Sequence, residues 1–311
     1  MKNTIKLFAI TLFLSFASCK TDKNKDTATA ETAETISVTH PLGTAKIVQT
    51  PQRVVVLDFA VVETLDELGI KIIGMPKENI PDYLQKYRDD SSITNLGTLK
   101  EIDYEKLNEL NPDVIFMSGR LQNVYPELNK IAPTVYTEID YTDYMNSIEE
   151  NFGIIGEVFG RKDATDNALN TIKEKIAAVH KQMNDSDQKA LVVLHNNGRF
   201  SAYGKGSRFG MIHDVLGVKE AVENLEVTRH GQAVSNEFIQ EANPDYLYII
   251  DRTAVIDREE TNKEAIENRL IQQTNAYKNG KIIYLDAEIW YLSGGGITSI
   301  NKMIDEIASN L

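Results

Sequence analysis

Short runs of β-branched and other apolar residues alternate with segments of helical periodicity along most of the chain. The apolar runs are Val54–Leu57, Val114–Met117, Leu191–Leu194, Tyr246–Ile250 and Ile282–Leu285. Strands that alternate with helices indicate βαβ units and parallel sheets, because a parallel pair needs a crossover connection. The predicted class is therefore α/β.

One helical pattern is long enough to connect two domains. Its apolar residues are spaced 3, 4, 3 and 4 along one helix face, at Leu169, Ile172, Ile176, Val179 and Met183. If Asp163 is its N-cap, the helix has about 21 residues and a length of roughly 30 Å. We expect this helix to join two lobes as a stiff connector.

A weak internal repeat favours two related lobes. Residues 105–113 and 237–245 share Glu, Glu, Asn, Pro and Asp at an offset of 132 residues, and each segment precedes an apolar run. Leu68–Lys71 has a similar counterpart in Leu216–Lys219. A helix that stops at Asn-Pro-Asp before a strand is a common junction, since proline cannot continue a helix. Two matches in the same order on either side of the long helix favour the related lobes.

The N-terminus has the features of a secretory signal. A basic start precedes a ten-residue apolar run, Leu7–Phe16, and two small residues stand before Cys19, the single cysteine. Ten residues are too few for a permanent helical span, which needs about 20. We predict a lipoprotein signal peptide over residues 1–18 and lipidation of Cys19. The alternatives are a chance free cysteine and an ordinary signal that is cleaved elsewhere.

The stretch after Cys19 is polar, rich in Thr and Ala, and has no apolar period, so it predicts a flexible tether over residues 19–40. The predicted division of the remainder is an N-terminal lobe (41–160), a connecting helix (161–186) and a C-terminal lobe (187–311). The mature chain would have no cysteine besides Cys19, so its stability must come from an ordinary core and not from intramolecular disulfides.

The formal net charge of −13 makes the chain a poor candidate for nucleic-acid binding. An acidic surface does not exclude an anionic ligand, because a local pocket can still be basic. The search for a site therefore concentrates on cationic side chains in predicted loops.

Three arginines follow predicted strands. Arg120 and Arg252 each come shortly after an apolar run, and Arg208 lies in a glycine-rich loop, residues 204–210. Ligands of α/β lobes bind beyond the carboxyl ends of strands, and ligands of two-lobed proteins bind between the domains. A guanidinium group keeps its charge and donates in a planar fork, which suits anionic oxygen ligands. Each arginine alone fits a surface or ion-pair role, with Asp251 as a candidate partner for Arg252. Their shared position carries the prediction.

His230 and Tyr291 are candidate metal ligands. His230 precedes Gly231, and Tyr291 lies shortly before Gly294–Gly296, so both are predicted in loops. An imidazole nitrogen and a phenolate oxygen can both bind ferric iron. A structural histidine and a half-buried tyrosine are the competing interpretations. The triple glycine lets a helix begin close to a ligand, and it also fits a plain turn.

From about residue 41 to the C-terminus, the chain resembles the siderophore-binding lipoproteins of bacterial ABC importers. It is most similar to those for ferric enterobactin and its linear bis-catechol fragments. The stretches that carry the resemblance are Ser118–Arg120, Ser207–Gly217, His230–Gly231, Ser235–Phe238, Asn243–Tyr246, Asp251–Arg252, Ile283–Asp286 and Trp290–Leu292. The resemblance implies a class III solute-binding fold: two Rossmann-like lobes with mainly parallel sheets, joined by one long rigid helix.

The resemblance also implies roles for individual residues. Arg120, Arg208 and Arg252 would surround an anionic ferric catecholate complex. His230 and Tyr291 would fill the two iron positions that a tetradentate siderophore leaves open. The implied activity is binding, with no bond made or broken and no intrinsic cofactor, since Fe(III) arrives as the siderophore complex.

The implied partners are an ABC permease with its ATPase, and the implied location is the periplasm, with the lipid as membrane anchor. We expect a monomer. Glu105 and Glu237, at equivalent places in the repeat, would dock onto arginines of the permease. The alternative is that both are solvated helix carboxylates, since a surface ion pair contributes only about 0–1 kcal/mol.

Other functions stay open at this point. Haem, cobalamin or a hydroxamate siderophore would suit the same fold, although a nearly neutral hydroxamate complex leaves three arginines unneeded, whereas haem would accept His and Tyr. Five scattered histidines disfavour a zinc or manganese carrier. An exported hydrolase with Ser207 as nucleophile is a third class, but the loop Gly204-Lys-Gly-Ser-Arg208 does not form a G-x-S-x-G elbow.

Overall fold

The computed structural model describes residues 34–183 and 186–311. The predicted signal peptide, Cys19 and the start of the tether lie outside the described residues. The strands are β1 (Thr35–His40), β2 (Gly43–Val48), β3 (Val54–Val56), β4 (Gly74–Met75), β5 (Thr94–Asn95), β6 (Val114–Met117), β7 (Thr134–Tyr136), β8 (Lys189–Asn196), β9 (Arg199–Tyr203), β10 (Lys219–Glu220), β11 (Gln232–Val234), β12 (Tyr246–Asp251) and β13 (Ile282–Leu285). The helices are α1 (Phe59–Glu67), α2 (Tyr104–Glu109), α3 (Tyr125–Ile131), α4 (Tyr144–Phe159), α5 (Lys162–Met183), α6 (Met211–Asp214), α7 (Asn236–Ala242), α8 (Arg252–Ile256), α9 (Lys263–Ile266), α10 (Asn275–Lys278) and α11 (Ile297–Ala308).

The first lobe is built on a five-stranded sheet with the order β5-β4-β3-β6-β7, in which every pairing is parallel. Its central strands are apolar throughout, and Val54, Val55 and Val56 are fully buried. Strands that are covered by helices on both faces need such continuous apolar runs. These runs are the sequence pattern that predicts the strands.

The second lobe is built on a six-stranded sheet with the order β11-β9-β8-β12-β13, and β10 pairs with β8. Strands β8, β10, β12 and β13 are parallel, whereas β9 pairs antiparallel with β8 and β11 pairs antiparallel with β9. The hairpin between β8 and β9 turns at Asn197 and Gly198, both of which have positive φ. This dipeptide is the usual choice for a two-residue hairpin turn.

Helix α5 joins the two sheets in the chain and has 22 residues, which corresponds to about 33 Å. It begins at Lys162, so Asp163 lies in its first turn and the predicted N-cap at Asp163 is wrong. The preceding helix α4 ends at Gly160 in the left-handed conformation, and the two helices pack against each other. The α/β architecture of two mainly parallel sheets with one long connecting helix is confirmed. None of the described helices has the length and apolarity of a membrane-crossing helix.

The internal repeat corresponds to matching structure. Helices α2 and α7 are capped by the side chains of Asp103 and Ser235, and they are followed by Asn111 and Asn243, whose φ angles are 42° and 41°. The next strands, β6 and β12, occupy central positions in their sheets. The Pro-Asp step is also used alike, because the carboxylates of Asp113 and Asp245 accept backbone N–H bonds at the start of the neighbouring strand.

Two parts of the chain depart from the predicted division. The sequence predicts a tether as far as residue 40, whereas Thr35–His40 forms β1, which pairs with β2 and buries Val38 and His40. The polar residues between them hide the period of two that this strand has. At the other end, α11 falls within the predicted C-terminal lobe, but it packs against α1 of the first lobe and against α5.

Candidate ligand-binding site

A cavity of about 860 Å³ lies between the two lobes. The walls include residues that follow strands of both sheets, at the ends where ligands of α/β folds bind. All five residues predicted for ligand and metal binding line it: Arg120, Arg208, His230, Arg252 and Tyr291. We call this space the interlobe cavity.

The three arginines come from different elements. Arg120 lies in a 3₁₀ helix, Gly119–Val124, directly after β6. Arg252 is the first residue of α8, directly after β12, and Arg208 lies in the turn that follows β9. Each side chain is partly buried. The topology therefore brings cations from distant parts of the chain to one cavity, as their shared position after strands indicates.

All three arginines donate hydrogen bonds to Tyr291. The Nη2 atoms of Arg120 and Arg208 donate to its carbonyl oxygen at 2.7 and 2.5 Å. The Nε atom of Arg252 donates to its phenolic oxygen at 3.0 Å. The guanidinium carbon of Arg208 also lies 4.3 Å from the centre of the Tyr291 ring, within the range of a cation–π contact.

The cluster changes the acidity of two of its members. Burial raises the pKa of Tyr291, but the hydrogen bond from Arg252 and the charges of Arg208, Arg252 and Arg120 outweigh that effect, so the pKa is lower than normal. Burial and the nearby charge of Arg208 lower the pKa of Arg120. An arginine stays charged in spite of such a shift. The site therefore concentrates positive charge and favours the phenolate form of Tyr291.

His230 lies on the wall of the same cavity, in a turn after which Gly231 has a φ of 72°. Its side chain is exposed. Among the residues that the structure describes, no hydrogen bond joins His230 to Tyr291 or to the arginines. His230 therefore lines the same cavity as the cluster, but it is less firmly attached to the arginines than Tyr291 is.

Sequence reasoning missed several residues of the cavity. Asn196, the last residue of β8, accepts a hydrogen bond of 2.9 Å from Nη1 of Arg252, and the same search after strands would have found it. Tyr141 and Glu138 lie in the loop after β7, and burial raises the pKa of both. Both line the interlobe cavity, and no local pattern in the sequence marks them.

Two alternatives raised by the sequence can be examined directly. Asp251 is not the partner of Arg252, because its carboxylate lies 2.9 Å from Nδ1 of His195 and caps α8. Ser207 is buried and donates its hydroxyl hydrogen to the carbonyl oxygen of Gly204 at 2.5 Å, which is a turn contact.

Within residues 34–183 and 186–311, no group of three His, Cys, Asp or Glu side chains could hold a metal ion.

Glu105 and Glu237 lie away from the interlobe cavity, on the surface of the two lobes. Each is the second residue of its helix, α2 or α7, and each is exposed. Their equivalence in the repeat therefore extends to their position at the helix start.

The sequence profile of the periplasmic binding protein family matches residues 54–289. The chain belongs to this family. The petrobactin-binding protein YclQ of Bacillus subtilis is 40% identical over 317 residues, which cover 100% of this chain and 99% of YclQ. The crystal structure of YclQ superposes with a TM-score of 0.87 over 89% of this chain and 98% of that one.

Two further solved structures of the family are similar along nearly their whole length. The catecholate-siderophore binding protein VctP of Vibrio cholerae is 32% identical, with a TM-score of 0.84 over 89% of this chain and all of VctP. The siderophore-binding protein BauB, bound to a complex of two acinetobactin molecules and ferric iron, is 38% identical, with a TM-score of 0.82 over 89% and 98%. The predicted class III fold and the resemblance to siderophore-binding proteins of ABC importers are thereby confirmed.

Proposed function

We propose that this protein is the substrate-binding component of an iron–siderophore ABC importer. It takes an anionic ferric catecholate complex into the interlobe cavity and delivers it to the permease. The observation that carries the proposal is the convergence of Arg120, Arg208 and Arg252 on Tyr291 in that cavity. The described ligands of three similar proteins support it. They are petrobactin for YclQ, a catecholate siderophore for VctP, and a complex of acinetobactin with ferric iron for BauB.

The arginines account for charge recognition. A ferric catecholate complex carries several negative charges on delocalised oxygens, which match the planar fork of a guanidinium group. Arg120 and Arg208 donate to the carbonyl oxygen of Tyr291, a neutral acceptor. A charged ligand oxygen is a stronger acceptor, and in a partly dehydrated cavity the attraction exceeds its value in bulk water.

Tyr291 and His230 account for metal recognition. With a hexadentate siderophore the iron is already six-coordinate. The protein then binds the complex only through the arginines and through contacts with the catechol rings. A tetradentate siderophore leaves two positions open, which the phenolate of Tyr291 and the imidazole of His230 fill. The lowered pKa of Tyr291 assists this role, because the deprotonated phenol is the better ligand.

A role as the binding component of an importer also implies a membrane anchor and a contact with the permease. The family is extracytoplasmic, and Cys19 would carry the lipid that holds the protein at the membrane of the cell envelope. Glu105 and Glu237 would contact the permease, one from each lobe. We propose a monomer with no intrinsic cofactor that binds its cargo without chemical change, as the relatives are binding proteins.

Haem, cobalamin and hydroxamate siderophores are the competing cargoes. The chain contains one tryptophan, Trp290, which is buried next to Tyr291 and serves as an internal reporter. Quenching of its fluorescence by ferric catecholates, ferric hydroxamates and haem discriminates between them. We expect tight binding of the catecholates, with the siderophore recovered unchanged. Preference for haem or a hydroxamate would refute the proposed cargo, and hydrolysis of the siderophore would indicate an enzyme.

A further inference from the structure

The residues after β13 belong to the second lobe by sequence, but several of their hydrogen bonds are made to the first lobe. We call residues 288–302 the C-terminal bridge, which contains Tyr291 and the start of α11. The hydroxyl of Tyr144 donates to the carbonyl oxygen of Gly294 at 2.6 Å. The backbone N–H of Asp82 donates to the carboxylate of Glu288 at 2.7 Å. The cavity wall that carries Tyr291 is thus fastened to the opposite lobe.

Glu63 of α1 lies at the centre of this attachment. Its side chain is 1% exposed. Its carboxylate accepts hydrogen bonds from the backbone N–H and the hydroxyl of Ser299, at 2.8 and 2.5 Å, and from the hydroxyl of Tyr83. The same Tyr83 oxygen lies 2.5 Å from the hydroxyl oxygen of Ser293, two residues after Tyr291. A chain of side chains therefore leads from Glu63 to the segment that holds Tyr291.

The glycines of the bridge are needed for this contact. A Cβ atom on Gly296 would lie 2.1 Å from Oε1 of Glu63, and one on Gly295 would lie 2.4 Å from Cδ1 of Ile139. At Gly296 the backbone oxygen of Ala60 would also lie only 2.3 Å away, so a side chain is excluded there, whereas at Gly295 the side chain of Ile139 would have to move. The triple glycine thus lets the bridge pass against the first lobe, which explains it better than a plain turn does.

Tyr291 is consequently held from both sides. Arg208 and Arg252 bind it from the second lobe, and the chain from Glu63 reaches the side chain of Ser293, two residues further on. Ser293 and Gly295 also line the interlobe cavity, so this anchor forms part of its wall. A buried carboxylate is costly to dehydrate unless several donors satisfy it. If Glu63 served only to fill this space, an apolar side chain would do so without the cost of dehydrating a carboxylate.

We propose that Glu63 is a positioning residue for Tyr291, acting through Tyr83–Ser293 and through Ser299. This inference rests on the proposed function, because it assigns Glu63 to the ligation step and not to charge recognition. Groups behind a metal ligand commonly orient it, and their loss lowers metal affinity even though they never touch the metal. Loss of Glu63 should therefore affect ligands that use Tyr291 and spare those that do not.

The test compares a ferric bis-catechol, which leaves two iron positions open, with a ferric tris-catechol, which leaves none. Both are titrated into wild-type protein and into Glu63→Ala and Glu63→Gln variants. We expect Glu63→Ala to lower the affinity for the bis-catechol complex about tenfold more than the affinity for the tris-catechol complex. We also expect the charge-transfer band of the bound bis-catechol complex to shift. Glu63→Gln keeps an acceptor for Ser299 and should restore most of the difference.

Two further variants keep the outcome decisive. Tyr83→Phe breaks the link to Ser293 with a minimal change of shape, and it replaces Glu63→Ala if that variant does not fold. Glu67→Ala is the matched control, since this exposed carboxylate on the same helix contacts Thr298 of α11. Equal losses for both ligands with an unmoved band would overturn the inference and leave Glu63 a purely structural residue. If wild-type protein binds neither complex, the proposed function fails instead.

Discussion

The guanidinium group of Arg252 donates from Nε to the phenolic oxygen of Tyr291 at 3.0 Å, and from Nη1 to Asn196 at 2.9 Å. Asn196 binds a different nitrogen from the phenol and thereby restrains the orientation of the guanidinium group. Since Arg252 starts α8 and Tyr291 follows β13, this bond joins two strand ends of the second lobe. It places a fixed positive charge beside the oxygen that we propose as an iron ligand.

The arginines should recognise charge regardless of how the iron is coordinated. Arg208→Ala and Arg252→Ala are each expected to weaken binding of both ferric bis- and tris-catechols by about 1.5–3 kcal/mol, the range for hydrogen bonds to charged groups. Quenching of Trp290 fluorescence measures both affinities. Arg269→Ala is the control, because it removes the same charge from an exposed position outside the cavity wall. An effect of the control as large as that of the cavity arginines would refute specific recognition.

Glu63 should make the stability of the protein depend on pH. Burial is the main cause that raises its pKa, from 4.5 to about 7, and the charge of Asp58 contributes. The folded protein therefore binds this proton more tightly than the unfolded chain does. The resulting stabilisation is fully present below the unfolded pKa and is lost as pH rises through about 7.

The expected change in the free energy of unfolding is about 2.5 kcal/mol between about pH 5 and about pH 8. Urea unfolding at both pH values measures it. Glu63→Gln should lose this part of the pH dependence, whereas Glu67→Gln, on the exposed side of the same helix, should keep it. If the two variants show the same dependence on pH as wild-type protein, then Glu63 does not titrate in this range.

Docking onto the permease is tested by separating uptake from binding. The double variant Glu105→Ala, Glu237→Ala should abolish uptake of radioactive iron by cells and leave siderophore affinity unchanged. The repeat supplies a matched control, since Glu109 and Glu241 lie four residues further along the same two helical segments and are also exposed. Normal uptake by the first double variant, or equal loss in both, would contradict a specific docking role.

The anchor is tested at Cys19. Cys19→Ala should move the protein from the membrane fraction to the soluble fraction, because no lipid can then be attached. Ser18→Ala is a suitable control, as it keeps a small residue before the cysteine and should stay at the membrane. Retention of the Cys19→Ala protein in the membrane fraction would show that the anchor lies elsewhere.

The central features of the fold could be predicted because they leave local patterns. Continuous apolar runs mark the buried parallel strands, and the 3-4-3-4 spacing marks α5, whose Leu169, Ile172, Val179 and Met183 are buried. The positions of Arg120, Arg208 and Arg252 follow from topology, because strand ends of both lobes face the interlobe cavity. Asn196, the last residue of β8, obeys the same rule.

Other features depend on contacts that no local pattern records. The strand β1 was hidden by threonines and a serine on its exposed face, so the predicted tether extended too far. The attachment of Glu63 to Ser299 joins residues 236 positions apart and requires the C-terminal bridge to return to the first lobe. The triple glycine was visible, but its reason lies in the close approach of Glu63 and Ile139.

Replacing Tyr291 with Phe tests the account most directly, because it removes the proposed ligand oxygen and keeps the ring beneath Arg208. For a ferric bis-catechol we expect a loss of about 1–3 kcal/mol and a shift of the ligand-to-metal charge-transfer band. His230→Ala should reduce affinity for the same ligand by a similar amount. For a ferric tris-catechol both variants should bind like wild-type protein, since the iron is already six-coordinate. Equal losses for the two ligands with an unmoved band would show that Tyr291 and His230 shape the cavity without binding iron.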